Sequence, residues 1–186
     1  MKSALLLITA LAGFAAFPAV ALRAQTQTGP SMDVTVQFIL DKLNSLGKVN
    51  LVAFNHDTSD NSDYSINKSF EASNVTYDAG AKQFNFHWNE WINGNQTQNK
   101  DAGFQLANVN NVVVKSYNDY QLDINAKAGK PNLVPTSTNP PITVMVLLRN
   151  DNLDNAFFFV DSSLAERVAH AINHAVQLAG GSKEPF

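Results

Sequence analysis

Residues 84–89 read Phe84-Asn85-Phe86-His87-Trp88-Asn89, so that every second residue is aromatic and the residues between are polar. Alternation with a period of two is typical of a β-strand that buries one face and exposes the other. After this strand, Asn93-Gly94 provides two residues that accept the positive φ of a type I′ turn. The sequence therefore predicts a β-hairpin in the middle of the chain.

Segments on both sides of this hairpin also have the composition of strands. We predict further strands at residues 51–54, 65–77, 104–106, 112–117, 120–124, 142–148 and 156–160. No helix-length segment lies between them to make a parallel crossover, so we expect one bent antiparallel sheet of about seven strands.

A helix is predicted before the strands. Ser31 is suited to the N-cap position, and Asp33 lies in the first turn, where a carboxylate interacts favourably with the helix dipole. Gly47 supplies a left-handed residue at the end of this helix. Apolar residues recur at steps of three and four and form one stripe: Val36, Ile39, Leu40, Leu43 and Leu46.

A second helix is predicted at the end of the chain. Ser163-Leu164-Ala165-Glu166 fits a capping box, in which the Ser163 and Glu166 side chains each accept a hydrogen bond from the other residue's amide. Gly180-Gly181 ends the helix. One side is apolar (Leu164, Val168, Ala171, Ile172, Ala175, Ala179) and the other is polar (Glu166, His170, Asn173, His174, Gln177). We expect this helix to cap the sheet.

The segment between Gly129 and Pro141 contains four prolines and cannot join a central strand. A loop of about a dozen residues is long enough to have a function, but an ordinary surface loop is the favoured interpretation. A concave, polar-lined pocket beside this loop would support a function, whereas a filled core would not.

The first 24 residues have the pattern of a secretory signal peptide. Lys2 precedes an apolar run, which Pro18 ends, and Ala19-Val20-Ala21 follows. We predict cleavage near Ala21 or Ala24, which leaves residues 25–186 as a single domain. An uncleaved anchor over residues 4–22 is the alternative, since this run is almost long enough to span a hydrocarbon core of about 30 Å.

Charge and composition exclude several function classes. The net charge is −3, removal of residues 1–24 takes away two basic residues and no acidic one, and the lysines are dispersed. We therefore expect neither nucleic acid nor an anionic membrane surface as a partner. The chain has no cysteine, which excludes thiolate metal sites, redox dithiols and a cysteine nucleophile.

Three groups of residues are candidates for chemistry. Glu166, His170 and His174 share one helix face with a spacing that zinc accepts, although a solvated helix face is the alternative. Asp57, Asp60 and Asp63 have the density of a calcium loop, but an acidic turn explains them without a metal ion. Trp88, Glu90 and Trp91 are consistent with a sugar-stacking surface or with ordinary packing of the tryptophans.

The other motifs of catalysis are missing from the sequence. It contains no Gly-x-Ser-x-Gly elbow, no phosphate-binding glycine loop and no dinucleotide fingerprint. We therefore assign no catalytic, cofactor-binding or metal-binding residue and predict no cofactor.

The last 30 residues, Phe157 to Phe186, contain Phe-Phe-Phe-Val-Asp-Ser-Ser-Leu-Ala-Glu-Arg-Val-Ala-His and end near Gly180-Gly181. This stretch resembles the C-terminal end of a group of small exported bacterial proteins without assigned function, which often have a cysteine where this chain has Ala179. Their order of elements is similar to that of pleckstrin-homology-like domains, so the resemblance implies a C-terminal helix that closes a bent antiparallel sheet. It does not imply phosphoinositide binding, because the stretch corresponding to the family's basic loop, residues 56–63, is acidic here.

These observations together predict an α+β protein with an N-terminal helix, a bent antiparallel sheet and a C-terminal capping helix. The expected function is that of a secreted or periplasmic, non-enzymatic binding or interaction module. Its partner would be an unknown protein or small-molecule ligand in the cell envelope. The alternatives are a small metal-assisted hydrolase that uses His170 and His174, and a structural component of the envelope.

Overall fold

The structure, a computed structural model, describes residues 29–138, 140–148 and 155–180, with only the backbone of Leu148. The predicted signal segment, residues 1–24, lies outside this range. The elements are α1 Met32–Asn44, β1 Val49–Asp57, β2 Ser62–Asp78, β3 Gln83–Ile92, β4 Asn95–Gln105, β5 Val109–Ser116, α2 Tyr117–Lys127, β6 Leu133–Pro135, β7 Ile142–Leu148, β8 Asn155–Phe159 and α3 Ser162–Leu178.

The predicted α+β class is confirmed, with an N-terminal helix, antiparallel strands and a C-terminal helix. The prediction of one sheet of about seven strands is wrong. The described residues form a five-stranded sheet in the order β4-β3-β2-β1-β6 and a three-stranded sheet in the order β5-β7-β8. The chain leaves the first sheet at a short 3-10 turn, Leu106–Asn108, after which β5 pairs with β7 instead of β4.

The central hairpin forms as predicted. Phe84 and Phe86 are buried on one face of β3, and Asn93 (φ 49°) and Gly94 (φ 79°) connect β3 to β4. Strand β4 is much longer than the predicted segment 104–106. Residues 95–101 of β4 are exposed and polar, as is common in edge strands, and they carry no apolar alternation that would reveal the strand.

The prediction of a strand at residues 120–124 is wrong, because this segment lies inside helix α2. Ser116 caps the helix by accepting a hydrogen bond from the amide of Asp119 (3.2 Å). The buried side of α2 carries Tyr117, Gln121 and Asn125, which are four residues apart and mostly polar. A search for apolar periodicity therefore finds no helical stripe in this segment.

Both terminal helices are present. Ser31 caps α1 as predicted, and Gly47 adopts the predicted left-handed conformation at φ 61°. Helix α3, however, is capped by Asp161, whose carboxylate accepts hydrogen bonds from the amides of Ser163 (2.8 Å) and Leu164 (3.3 Å). The predicted capping box of Ser163 and Glu166 is wrong, because the helix begins two residues earlier, with Asp161 instead of Ser163 as its N-cap. Gly180 follows its end at φ 86°.

Two clusters of buried side chains fill the interior. The larger one joins α1 and α3 to β3, β4 and the three-stranded sheet, and it includes Ile39, Phe84, Phe104, Phe157 and Ile172. The smaller one joins α2 to β1 and β2 and includes Val49, Ala53, Phe70, Tyr117 and Phe158. Both clusters lie on the inner face of the five-stranded sheet, the face that carries Ala53, Phe70 and Phe84.

We predict that Asp161→Ala lowers the free energy of unfolding by about 1 kcal/mol, because two amides at the start of α3 lose their acceptor. Ser163→Ala is the matched control and leaves stability within about 0.5 kcal/mol, as expected for an exposed residue outside such a feature. Urea denaturation measures both values. A larger loss of stability in Ser163→Ala than in Asp161→Ala would contradict this prediction and support the capping box of Ser163 and Glu166.

Candidate functional site

The loop between α2 and β7 is fixed to strand β1. The Thr136 amide donates to the Phe54 carbonyl oxygen (2.8 Å), and the Phe54 amide donates to Ser137 Oγ (2.9 Å). Asn118 Nδ2 on α2 donates to the Ser137 carbonyl oxygen (3.0 Å). The expectation that the proline-rich segment avoids a central strand is met, since β6 pairs at the edge of the sheet with β1 alone.

A pocket of about 570 Å³ lies beside this loop, and we call it the loop pocket. It is open to solvent and lies within the size range of small-molecule sites. Its described lining consists of two aromatic residues, Phe54 and Tyr64, and the polar residues Asn55, Asp63, Ser65, Thr136 and Thr138. Phe54 is paired with Ser65 on the outer face of the sheet, whereas Asn55 is paired with Tyr64 on the inner face. The outward side chains of the lining therefore combine the Phe54 ring with hydroxyl groups and the Asp63 carboxylate.

The two aromatic residues of the loop pocket are unusually accessible. Phe54 is 47% exposed and Tyr64 is 38% exposed. Within the described ranges, they are the only aromatic residues among the exposed large hydrophobic side chains. Phe54 and Val52 face outward on β1 because the residue between them, Ala53, faces the core.

Asp57, Asp60 and Asp63 each have a protein partner near the turn between β1 and β2. The Ser59 hydroxyl and amide donate to Asp57 and lower the pKa of its carboxyl group. Asp60 accepts from the Ser62 amide (3.0 Å), and Asp63 lies 2.8 Å from His56 Nδ1. These contacts are those of an acidic turn, and only Asp63 also reaches the loop pocket.

Glu166, His170 and His174 remain on the exposed side of α3 but do not converge. His174 Nε2 lies 2.9 Å from the Pro30 carbonyl oxygen and ties the segment before α1 to α3. Glu166 lines a second open pocket, of about 520 Å³, together with Lys115, Asp119 and Asp123. Across the described part of the chain, no group of three or more His, Asp and Glu residues is arranged to hold a metal ion.

Trp88, Glu90 and Trp91 do not form one surface. Trp88 packs in the interior against Phe70 and Phe158, with ring centroids 6.0 and 5.9 Å apart. Glu90 accepts a hydrogen bond from Gln98 Nε2 (2.7 Å) on the same side of the sheet. Trp91 follows Glu90 directly and faces the opposite side, where Lys48 Nζ lies 3.6 Å from its ring centroid.

A chain of hydrogen bonds lies between α2 and the five-stranded sheet. Tyr117 Oη (2.7 Å) and Lys68 Nζ (3.1 Å) both donate to Gln121 Oε1, and Gln121 Nε2 donates to Asn125 Oδ1 (2.8 Å). Burial raises the pKa of Tyr117 and lowers the pKa of Lys68. Asn125 Nδ2 then donates to the Leu133 carbonyl oxygen (2.8 Å), so the chain of bonds fixes the start of the loop.

The sequence indicated only part of the loop pocket. The proline content drew attention to the segment that supplies Thr136 and Thr138. Phe54 was missed, because the run 51–54 is apolar throughout and does not show which side chain faces outward. The exposed and buried alternation of Val52, Ala53 and Phe54 is visible only in the folded sheet.

Comparison of the chain with protein-family models, with curated proteins and with solved structures finds no match. None of the helices in the described ranges is long and apolar enough to cross a membrane.

We predict that Ser137→Ala loosens the loop. The Phe54 amide loses the hydroxyl that accepts its hydrogen bond, so its hydrogen exchange becomes faster and the free energy of unfolding falls by about 1 kcal/mol. Thr138→Ala, one residue further on, is the control and leaves exchange at Phe54 unchanged. Exchange at Phe54 that is equally slow in Ser137→Ala and the wild type would contradict this anchoring role.

Proposed function

We propose that this protein is an exported, non-enzymatic binding module and that its ligand binds in the loop pocket. The observation that carries this proposal is the position of Phe54, an aromatic residue that is 47% exposed on the outer face of β1 and lines the pocket beside an anchored loop. Exposed apolar surface next to convergent polar groups is characteristic of ligand sites.

The shape of the site favours a small molecule, or a single group of a larger one, as the ligand. The wall formed by Thr136 and Thr138 is held by backbone and side-chain hydrogen bonds to β1 and α2. A wall that is ordered before binding lowers the entropic cost of binding, because the loop does not have to become ordered when the ligand binds. This supports a pre-formed site over a loop that folds around its partner.

The metal-assisted hydrolase, our alternative interpretation of the sequence, is not proposed here. The imidazole Nε2 of His174 is engaged by the Pro30 carbonyl oxygen, and Glu166 lies beside Lys115 and two aspartates. No contact of the described residues favours that reaction over ligand binding.

A relationship to pleckstrin-homology-like domains is part of the proposal. It is supported by two antiparallel sheets and by the C-terminal helix α3, which packs on β5 and β7. Two features go beyond the expected bent sheet with a C-terminal helix. They are helix α1 and the distribution of the strands into sheets of five and three. Because one fold hosts many functions, this relationship says nothing about the ligand.

A ligand screen by nuclear magnetic resonance tests the binding function. We expect at least one class in a library of saccharides, amines, organic acids and nucleotides to shift the amide signals of Phe54, Thr136 and Thr138 in a saturable way. Phe54→Ala, which removes the exposed ring from the lining, should weaken that binding about tenfold, whereas Val160→Ala, at an 84% exposed residue outside the pocket, should leave it unchanged. If no compound of the library shifts these amide signals, the proposed binding function is wrong.

Export is tested separately by fractionation and mass spectrometry. We expect the protein in the periplasm or the medium, with a new N-terminus produced by a cut after Ala21 or Ala24. Replacing Ala19 and Ala21 with bulky residues should block a cut after Ala21, and replacing Ala24 should block a cut after Ala24, because signal peptidase sites require small side chains. Recovery of the intact chain from the membrane fraction would favour the uncleaved anchor.

A further inference from the structure

Three hydroxyl groups of the loop pocket can interact with a ligand. They belong to Ser65, Thr136 and Thr138, and none of them donates a hydrogen bond to another described residue. Asn55 is not among these donors, because it faces the inner side of the sheet, as Ala53 does, and is 94% buried. A ligand with several hydroxyl groups could match these donors and acceptors at once.

The charge of the lining argues against an ionic ligand. Among the described lining residues none is Lys or Arg, so a phosphate, sulfate or carboxylate group would find no cationic partner. The single carboxylate, Asp63, is 85% exposed and already lies 2.8 Å from His56 Nδ1. The net charge of the chain, −3, further disfavours an anion.

The aromatic ring of Phe54 provides the remaining component. It offers a flat apolar surface of the kind on which the C–H face of a pyranose ring can rest, while the hydroxyl groups of the sugar point to polar neighbours. A volume of about 570 Å³, open to solvent, leaves room for one or two rings and for a longer chain to continue into solvent.

We propose that the loop pocket binds a neutral saccharide, with one ring stacked on Phe54 and its hydroxyl groups hydrogen-bonded by Thr136 and by Ser65, which is paired with Phe54 on the same face of the sheet. This inference rests on the proposed binding function and specifies its ligand class. The acidic pocket at Glu166 is not part of it.

A glycan array followed by titration calorimetry tests this inference. The array contains neutral, amino and acidic glycans, and we expect the purified protein to bind neutral members. Phe54→Ala should weaken their binding at least tenfold. Val52→Ala is a closely matched control, because Val52 is 45% exposed, lies two residues away on the same strand face and is outside the described lining of the pocket.

A thermal melt of each variant separates loss of the site from loss of the fold, and Phe54→Tyr, which keeps the ring, should retain binding. Three results would overturn the saccharide assignment. The protein could prefer acidic or amino glycans, Phe54→Ala and Val52→Ala could weaken glycan binding equally, or Phe54→Ala could leave glycan binding unchanged. If the array is negative while another compound class still shifts the pocket amides, only the ligand class fails. If no class shifts them, the binding function itself fails.

Discussion

Three consecutive phenylalanines on β8 determine how the two sheets fit together. Neighbouring residues of a strand point to opposite faces, so Phe157 and Phe159 require burial on one side and Phe158 on the other. Phe157 meets Phe86 and Phe104 in the larger cluster, while Phe158 stacks on Phe70 at 4.0 Å in the smaller one. Strand β8 therefore has to contact the five-stranded sheet, and α3 and α2 cover what remains of the interior.

This packing leaves the outward side of β1 free for a site. Both clusters lie on the inner face of the five-stranded sheet, and Val52 and Phe54 on the other face stay exposed. The segment that follows β6 is then held against β1 by Ser137, and α2 supports it through Asn118. The loop pocket is thus a consequence of the same arrangement that buries the phenylalanines.

The differences between expectation and structure arise where polar groups replace apolar ones. Helix α2 buries Tyr117, Gln121 and Asn125, whose side chains satisfy one another, so its sequence lacks the stripe that identified α1 and α3. The alternation of Tyr120, Leu122 and Ile124 resembled a strand for the same reason. Most of strand β4 was not predicted, because its residues 95–101 are polar and exposed at the edge of the sheet and show no apolar alternation.

The amino-acid sequence was sufficient to predict the class of the fold, the β3–β4 hairpin and the two terminal helices, because these depend on local periodicity, turn residues and caps. It could not determine the division into two sheets, since that depends on the pairing of β5 with β7 instead of with its neighbour β4. Nor could it bring Phe54, Ser65 and Thr136 together. Only tertiary structure decides which side of a strand is covered, because that depends on what packs against it.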